Sequence, residues 1–151
     1  MSPKFHPAFL FCGLLAAVSV SAKTFNVAVG DNNGLVFNPT SITGAVAGDQ
    51  VVFTFMSKNH SATQSTFDNP CAPGGDGLNS GFQAVPQNST QAFQWKITLD
   101  ATSASKPLWF YCAQTVPVNH CHTGMVFAVN PTPDKSFDAF KVRVKTLVSF
   151  D

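Results

Sequence analysis

Apolar and polar residues alternate with a period of two through much of this chain, the mark of strands with one buried face. In Thr24–Val29, the residues Phe25, Val27 and Val29 alternate with Thr24, Asn26 and Ala28. Val51-Val52-Phe53-Thr54-Phe55 is instead a continuous β-branched and aromatic run. Further strands are expected over residues 42–46, 92–99, Leu108–Tyr111 and 125–129, the last stopped by Asn130-Pro131. Asp31-Asn32-Asn33-Gly34 and Ala47-Gly48-Asp49 read as turns. Residues 57–85 hold many Gly, Asn, Ser and Pro and read as a long functional loop, with or without short helical turns. The tail fits two periods. Phe137, Phe140, Val144 and Leu147 share a helix face, whereas Phe140, Val142, Val144 and Val148 alternate as in a strand. A short helix starting near Asp134, capped by Asp134 or Ser136, is the preferred reading. Short strands between Gly- and Pro-containing turns give an all-β sandwich or barrel.

Residues 1–22 do not belong to this pattern. Lys4 and His6 precede an apolar run from Ala8 to Val20, and Val20-Ser21-Ala22 ends in small residues. That is the form of a secretory leader cut after Ala22, and the run is short for a membrane span of about 20 residues. The expected organisation is a leader at 1–22 and one domain at 23–151. The charged segment KVRVKTLVSFD is unlike the apolar tail of a lipid-anchor signal, so no membrane anchor is expected. The setting read from the leader is extracellular or cell-wall associated.

Composition then narrows the chemistry. Fifteen Phe, 44% hydrophobic and 11% charged residues argue for a packed core and against disorder. A net charge of +1 without any basic stripe argues against nucleic acid as a partner. All eight acids are Asp, so mechanisms needing a Glu acid or base are excluded. No Ser, His and acid are recognisably arranged for hydrolysis. Without the leader, the chain keeps Cys71, Cys112 and Cys121, with His60, His120 and His122. Thiols pair in an oxidising compartment, and three is odd, so one thiol is left over. Spacing alone does not choose among the three possible pairings.

The soft and borderline metal ligands cluster. Cys112 follows an apolar strand, and His120, Cys121 and Met125 lie on the next loop, while His60 follows the Val51 to Phe55 run. One thiolate, two imidazoles and a weak thioether are the ligand set of a type 1 copper site, which can hold both Cu(I) and Cu(II). A zinc site from Cys71, Cys112, His120 and Cys121 is disfavoured, because adjacent His120 and Cys121 rarely reach one ion.

These strings resemble the cupredoxins, in particular phytocyanin-like and fungal extracellular cupredoxin-like proteins. The resemblance runs through Asn59-His60-Ser61-Ala62-Thr63-Gln64, Phe67-Asp68-Asn69-Pro70-Cys71, Trp109-Phe110-Tyr111-Cys112 and His120-Cys121-x-x-Gly124-Met125-Val126. It implies a Greek-key β-sandwich with short helical elements in its loops. It implies one copper ion held by His60, Cys112, His120 and Met125, and a Cys71–Cys121 disulfide that leaves Cys112 for the metal. The implied protein is a secreted, monomeric one-electron carrier with an unidentified redox partner, not an enzyme. With three His in the domain, a multicopper oxidase is excluded. An apolar wall of Phe53, Phe55, Trp109, Phe110 and Phe127 is expected to exclude water, and one edge of His120 to lie near the surface.

One departure stands out: seven residues separate Cys112 from His120, more than in phytocyanins, through the extra stretch Thr115-Val116-Pro117-Val118. His122 thereby becomes a competing ligand candidate, with an exposed or supporting position as its plainer reading. The second functional reading is a cell-surface structural or ligand-binding protein of the same fold with a degenerate metal site. Asn88-Ser89-Thr90 is a glycosylation sequon, so Asn88 is a candidate glycan site.

Overall fold

The computed structural model describes residues 21–86 and 89–148. Most of the proposed leader and the sequon residue Asn88 lie outside the described residues. Among the described residues the chain forms short strands in two four-stranded sheets and one two-stranded sheet. The strands are β1 (Thr24–Val29), β2 (Phe37–Asn38), β3 (Ser41–Ile42), β4 (Gln50–Phe55), β5 (Lys58–His60), β6 (Thr63–Ser65), β7 (Gln83–Val85), β8 (Phe93–Thr98), β9 (Leu108–Tyr111) and β10 (Val126–Val129). Two α-helices, α1 (Ala101–Ala104) and α2 (Phe137–Val148), accompany the strands among the described residues.

The first sheet runs β2-β1-β4-β8 and the second β3-β10-β9-β6, with β5-β7 forming a separate ribbon. β1 pairs parallel with β4, and β10 parallel with β3; the other pairings are antiparallel. The fold is therefore a mixed β-sandwich. Its core lies between the two large sheets. Phe53 from the first sheet meets Phe110 and Phe127 of the second, at centroid distances of 5.5 and 5.4 Å. Such tilted and edge-on aromatic pairs add to the burial of their large apolar surfaces.

The second sheet is covered on both faces, which explains why LWFY and VFAV are buried at every position instead of alternating. Leu108, Phe110, Phe127 and Val129 face the central core, and Trp109, Tyr111, Val126 and Ala128 face a second cluster with Phe67, Phe140 and Val144. This second cluster decides the tail. A helix with Phe140 and Val144 one turn apart covers the outer face of β9 and β10, with Trp109 and Phe140 rings 4.5 Å apart. The helix begins at Phe137, not near Asp134, because the Ser136 hydroxyl accepts the amide of Ala139 as its cap.

Two other expectations need adjusting. The strand expected over 42–46 is only Ser41–Ile42. Beyond it the Asn130 side chain takes over as partner, accepting the amide of Ala45 and donating to its carbonyl. The expected loop at 57–85 contains three short strands. Its polar residues are inside: Thr63, Gln64 and Ser65 of β6 are all buried. Gln64 Oε1 accepts the amides of Asp76 and Leu78 and so fixes the following turn.

Candidate metal centre

Three elements converge at one end of the sandwich. β9 runs directly into Cys112, whose amide donates to the Met125 carbonyl at 3.1 Å, extending the β9–β10 ladder by one step. His120 lies on the connecting loop. Its carbonyl accepts the Met125 amide at 3.0 Å and the Thr123 hydroxyl at 2.8 Å, which fixes the turn from His120 to Met125. His60 ends β5 and is held by pairing of that strand with β7.

These supports bring three donor atoms together. Cys112 Sγ is 3.4 Å from His120 Nδ1 and 3.7 Å from His60 Nδ1, and the two Nδ1 atoms are 3.1 Å apart. All three residues are buried. Donor atoms bound to one ion at about 2.0 Å for nitrogen and 2.3 Å for sulfur stand roughly 3.3–3.7 Å from one another in tetrahedral or trigonal arrangements. The observed separations match those of a shared ion closely enough that little movement would be needed. Met125 is fully buried in the same apolar cluster as Cys112. His122 is not part of the group. It is half-buried beside a hollow lined by Lys141 and Lys145.

Cys71 and Cys121 form a disulfide, with an S–S distance of 2.01 Å, leaving Cys112 as the free, buried cysteine among the described residues. The bridge ties the segment after β6 to the turn carrying His120. The apolar wall differs from expectation at one residue. Phe53, Phe55, Phe110 and Phe127 share the core cluster with Cys112, but Trp109 points to the opposite face of its strand and packs on α2. His120 is also more enclosed than expected, at 3% exposure, although it lines a surface hollow.

Two supporting residues were not singled out from the sequence. Ser61 donates its amide to Cys112 Sγ at 3.4 Å, and its hydroxyl accepts the amide of Ala113 at 2.9 Å. It therefore positions the sulfur from both sides, as outer partners of a metal ligand do. Gly30 sits at φ +77°, and a Cβ there would fall 2.7 Å from His60 Nε2 and 2.8 Å from Ser57 Oγ. Nothing in the sequence marks that approach, except that Gly30 follows β1, whose partner β4 leads to His60. Gly30→Ala is expected to destabilise the protein by about 1–3 kcal/mol through left-handed strain alone, with added loss from displacing His60. Urea unfolding of the metal-free variant measures it.

Burial sets the protonation of the group. Loss of solvent, then the nearby His120 and Lys58, push the His60 pKa down to about 4 from 6.5. Burial, then Lys58, also lowers the pKa of His120, and burial raises that of the Cys112 thiol. At neutral pH both imidazoles are thus neutral and can offer a lone pair to a metal. His60 Nε2 is buried and has no hydrogen-bond partner, so the ring is poorly served as an imidazolium. A sign follows for stability. Below pH 6.5 the unfolded chain takes up a proton at this histidine that the folded chain refuses until about pH 4. The metal-free protein is therefore expected to lose stability as pH falls from 6.5 towards 4, with a shallower fall in His60→Gln. Urea midpoints across that range check this.

No protein-family model matches the chain. Two curated proteins of Arthroderma benhamiae are similar to it. One is "Probable GPI-anchored cupredoxin-1", 34% identical over 122 residues, which span 80% of this chain and 59% of that protein. The other is "Extracellular serine-rich protein", 34% identical over 139 residues, spanning 87% of this chain and 50% of that protein. The chain thus spans between half and three fifths of the length of these relatives. Among solved structures, auracyanin A, a "blue" copper protein from Chloroflexus aurantiacus, is 14% identical with a TM-score of 0.46, covering 73% of this chain and 98% of that one. Auracyanin B is 17% identical with a TM-score of 0.45, covering 76% and 92%. The expectation of no membrane anchor does not stand, since a relative is described as probably GPI-anchored. The charge of residues 141–151 is no guide to anchoring when the chain spans 59% of that relative. The extracellular or cell-wall setting agrees with both curated relatives.

Proposed function

On the premise that this chain is a relative of the cupredoxins, we propose that it is an extracellular copper protein acting in one-electron transfer. His60, Cys112 and His120 would hold the ion, with Met125 as a weak fourth ligand. The observation that carries this reading is the buried trio of Nδ1, Nδ1 and Sγ, mutually 3.1–3.7 Å apart. A thiolate with two imidazoles is a donor set suited to both oxidation states of copper. The bound ion would supply a one-electron couple; the chain's part is to keep the site rigid and dry. The Ser61 amide steadies the sulfur, the Cys71–Cys121 bridge restrains the His120 turn, and Phe53, Phe55, Phe110 and Phe127 exclude water. Cys112 Sγ beside the His120 imidazole could act as a nucleophile with its base, but the sulfur is fully buried and burial raises its thiol pKa, so a carrier role is favoured over catalysis.

Ligand protonation supports a quantitative expectation. The imidazoles are already neutral, whereas the Cys112 thiol, raised by burial, must give up its proton on binding. Copper affinity should therefore rise roughly tenfold per pH unit between pH 6 and 8, with one proton released. Competition titration against a chelator of known affinity in two buffers tests it. A flat profile would mean that the thiol is not a ligand.

The second reading, a surface ligand-binding or structural protein of this fold, draws its support from the lengthened segment between Cys112 and His120. Visible spectroscopy with metal analysis of the copper-loaded protein separates the two. Colourless protein that retains no copper would favour the second.

A further inference from the structure

The extra residues between Cys112 and His120 build a surface hollow of about 330 Å³ beside the metal group. We propose that this hollow binds a small aromatic anion, an aryl carboxylate or phenolate, as the small-molecule partner of the centre. As a partner assignment this rests on the electron-carrier reading; as a binding site it does not.

The walls are apolar. Leu35 forms one part, and Val116, Pro117 and Val118 form the other. Val116 is 73% exposed and Val118 42%, so the rim leaves apolar surface uncovered. The volume falls at the lower end of the roughly 300–1,000 Å³ typical of small-molecule sites, which suits one ring better than a peptide.

The polar groups of the hollow set the sign of the ligand. Lys58 is the charged residue of the lining, and no carboxylate accompanies it. Gln114 Oε1 already accepts the amides of Thr115 and Val116, which leaves its amide nitrogen to donate. Asn59 also lines the hollow, and its Oδ1 is a buried acceptor without a hydrogen-bond partner. The lining therefore offers a cation and an amide donor together with one acceptor, which suits an anion that also carries a hydroxyl. Lys58 also holds φ +56°, a strained value for a residue with a side chain, of the kind that gathers at functional positions. Its charge acts on both His60 and His120. The inner end of the hollow is His120, the residue whose Nδ1 faces Cys112 Sγ. A ring seated there would lie against the imidazole that faces the sulfur.

The test uses metal-free protein, so that copper plays no part in the readout. Para-hydroxybenzoate is titrated in while backbone amides are followed by two-dimensional NMR. Saturable shifts are expected at Leu35, Lys58, Gln114, Val116 and Val118. The neutral analogue para-hydroxybenzamide should bind about fivefold more weakly, as a solvent-accessible charge contact predicts. Lys58→Asn keeps a residue that tolerates the left-handed backbone and should erase that preference. Val116→Asp should abolish binding of the anion while amide dispersion is retained. Absence of saturable shifts would overturn the proposal. So would equal affinity for the neutral analogue, or shifts confined to the other cationic hollow at His122, Lys141 and Lys145. The colour test of Cys112 judges copper separately, so either reading can fail alone.

Discussion

Cys112→Ser is expected to abolish the intense visible thiolate-to-copper band of the copper-loaded protein and to weaken copper binding by more than about 100-fold. Outer partners of a metal ligand commonly command 10–100-fold, and a direct soft ligand should exceed them. Serine is close in size to cysteine, so the fold should survive the change. Its hydroxyl can still accept the Ser61 amide that serves the sulfur. What it cannot do is offer a soft anion near neutral pH. Ser61 itself offers a graded companion: its loss should shift the band without removing it. Unchanged copper affinity in Cys112→Ser, with near-ultraviolet circular dichroism intact, would sink the copper reading and leave only the fold.

The largest effect on stability is expected from the double replacement Cys71→Ser with Cys121→Ser. The bridge closes a loop with a sequence separation of 50 residues. In the chain-entropy account, a loop of that length contributes about 4 kcal/mol by restricting the unfolded chain. Domains of this size hold only about 5–15 kcal/mol in total, so the loss is a large share. It should lower the melting temperature by roughly 15 °C and shift the urea midpoint at constant slope. The effect also has a local arm. Cys121 follows His120 directly, so release of the bridge should loosen the ligand turn and weaken copper binding together with stability. A change of less than about 1 kcal/mol would show that packing of Phe67, Trp109 and Phe140 holds this region without the bridge.

The sites where sequence reading succeeded and failed have different physics. β1, β4, β8, β9 and β10 were legible because alternation, or a continuous apolar run, is a local property that burial of one or two faces imposes directly. The hairpin that gathers Cys112, His120 and Met125 was legible for a similar reason: short separation along the chain forces proximity in space. β5, β6 and β7 were hidden because their residues are mostly polar. β6, the fully buried one of the three, tolerates burial because Thr63 and Gln64 find hydrogen-bond partners in the Asp76 to Asn79 segment. Gly30 was invisible for another reason, since its meaning is the empty space that His60 Nε2 occupies. Trp109 was misplaced because the sequence shows a buried residue without showing which of two buried faces it joins.

The chain's own residue types narrowed the chemistry on offer: a soft sulfur, two imidazoles and a thioether, with no Glu and no basic stripe, in a mostly β chain. Those are properties of side chains and of short-range periodicity, which survive in any conformation. The tertiary structure decided which atoms meet. It turned both Nδ1 atoms towards one sulfur, set His122 aside, chose helix over strand for the tail by giving it a sheet face to cover, and shaped the extra loop into a hollow beside Lys58. Each of these depends on contacts between distant segments, whose energies no local pattern contains.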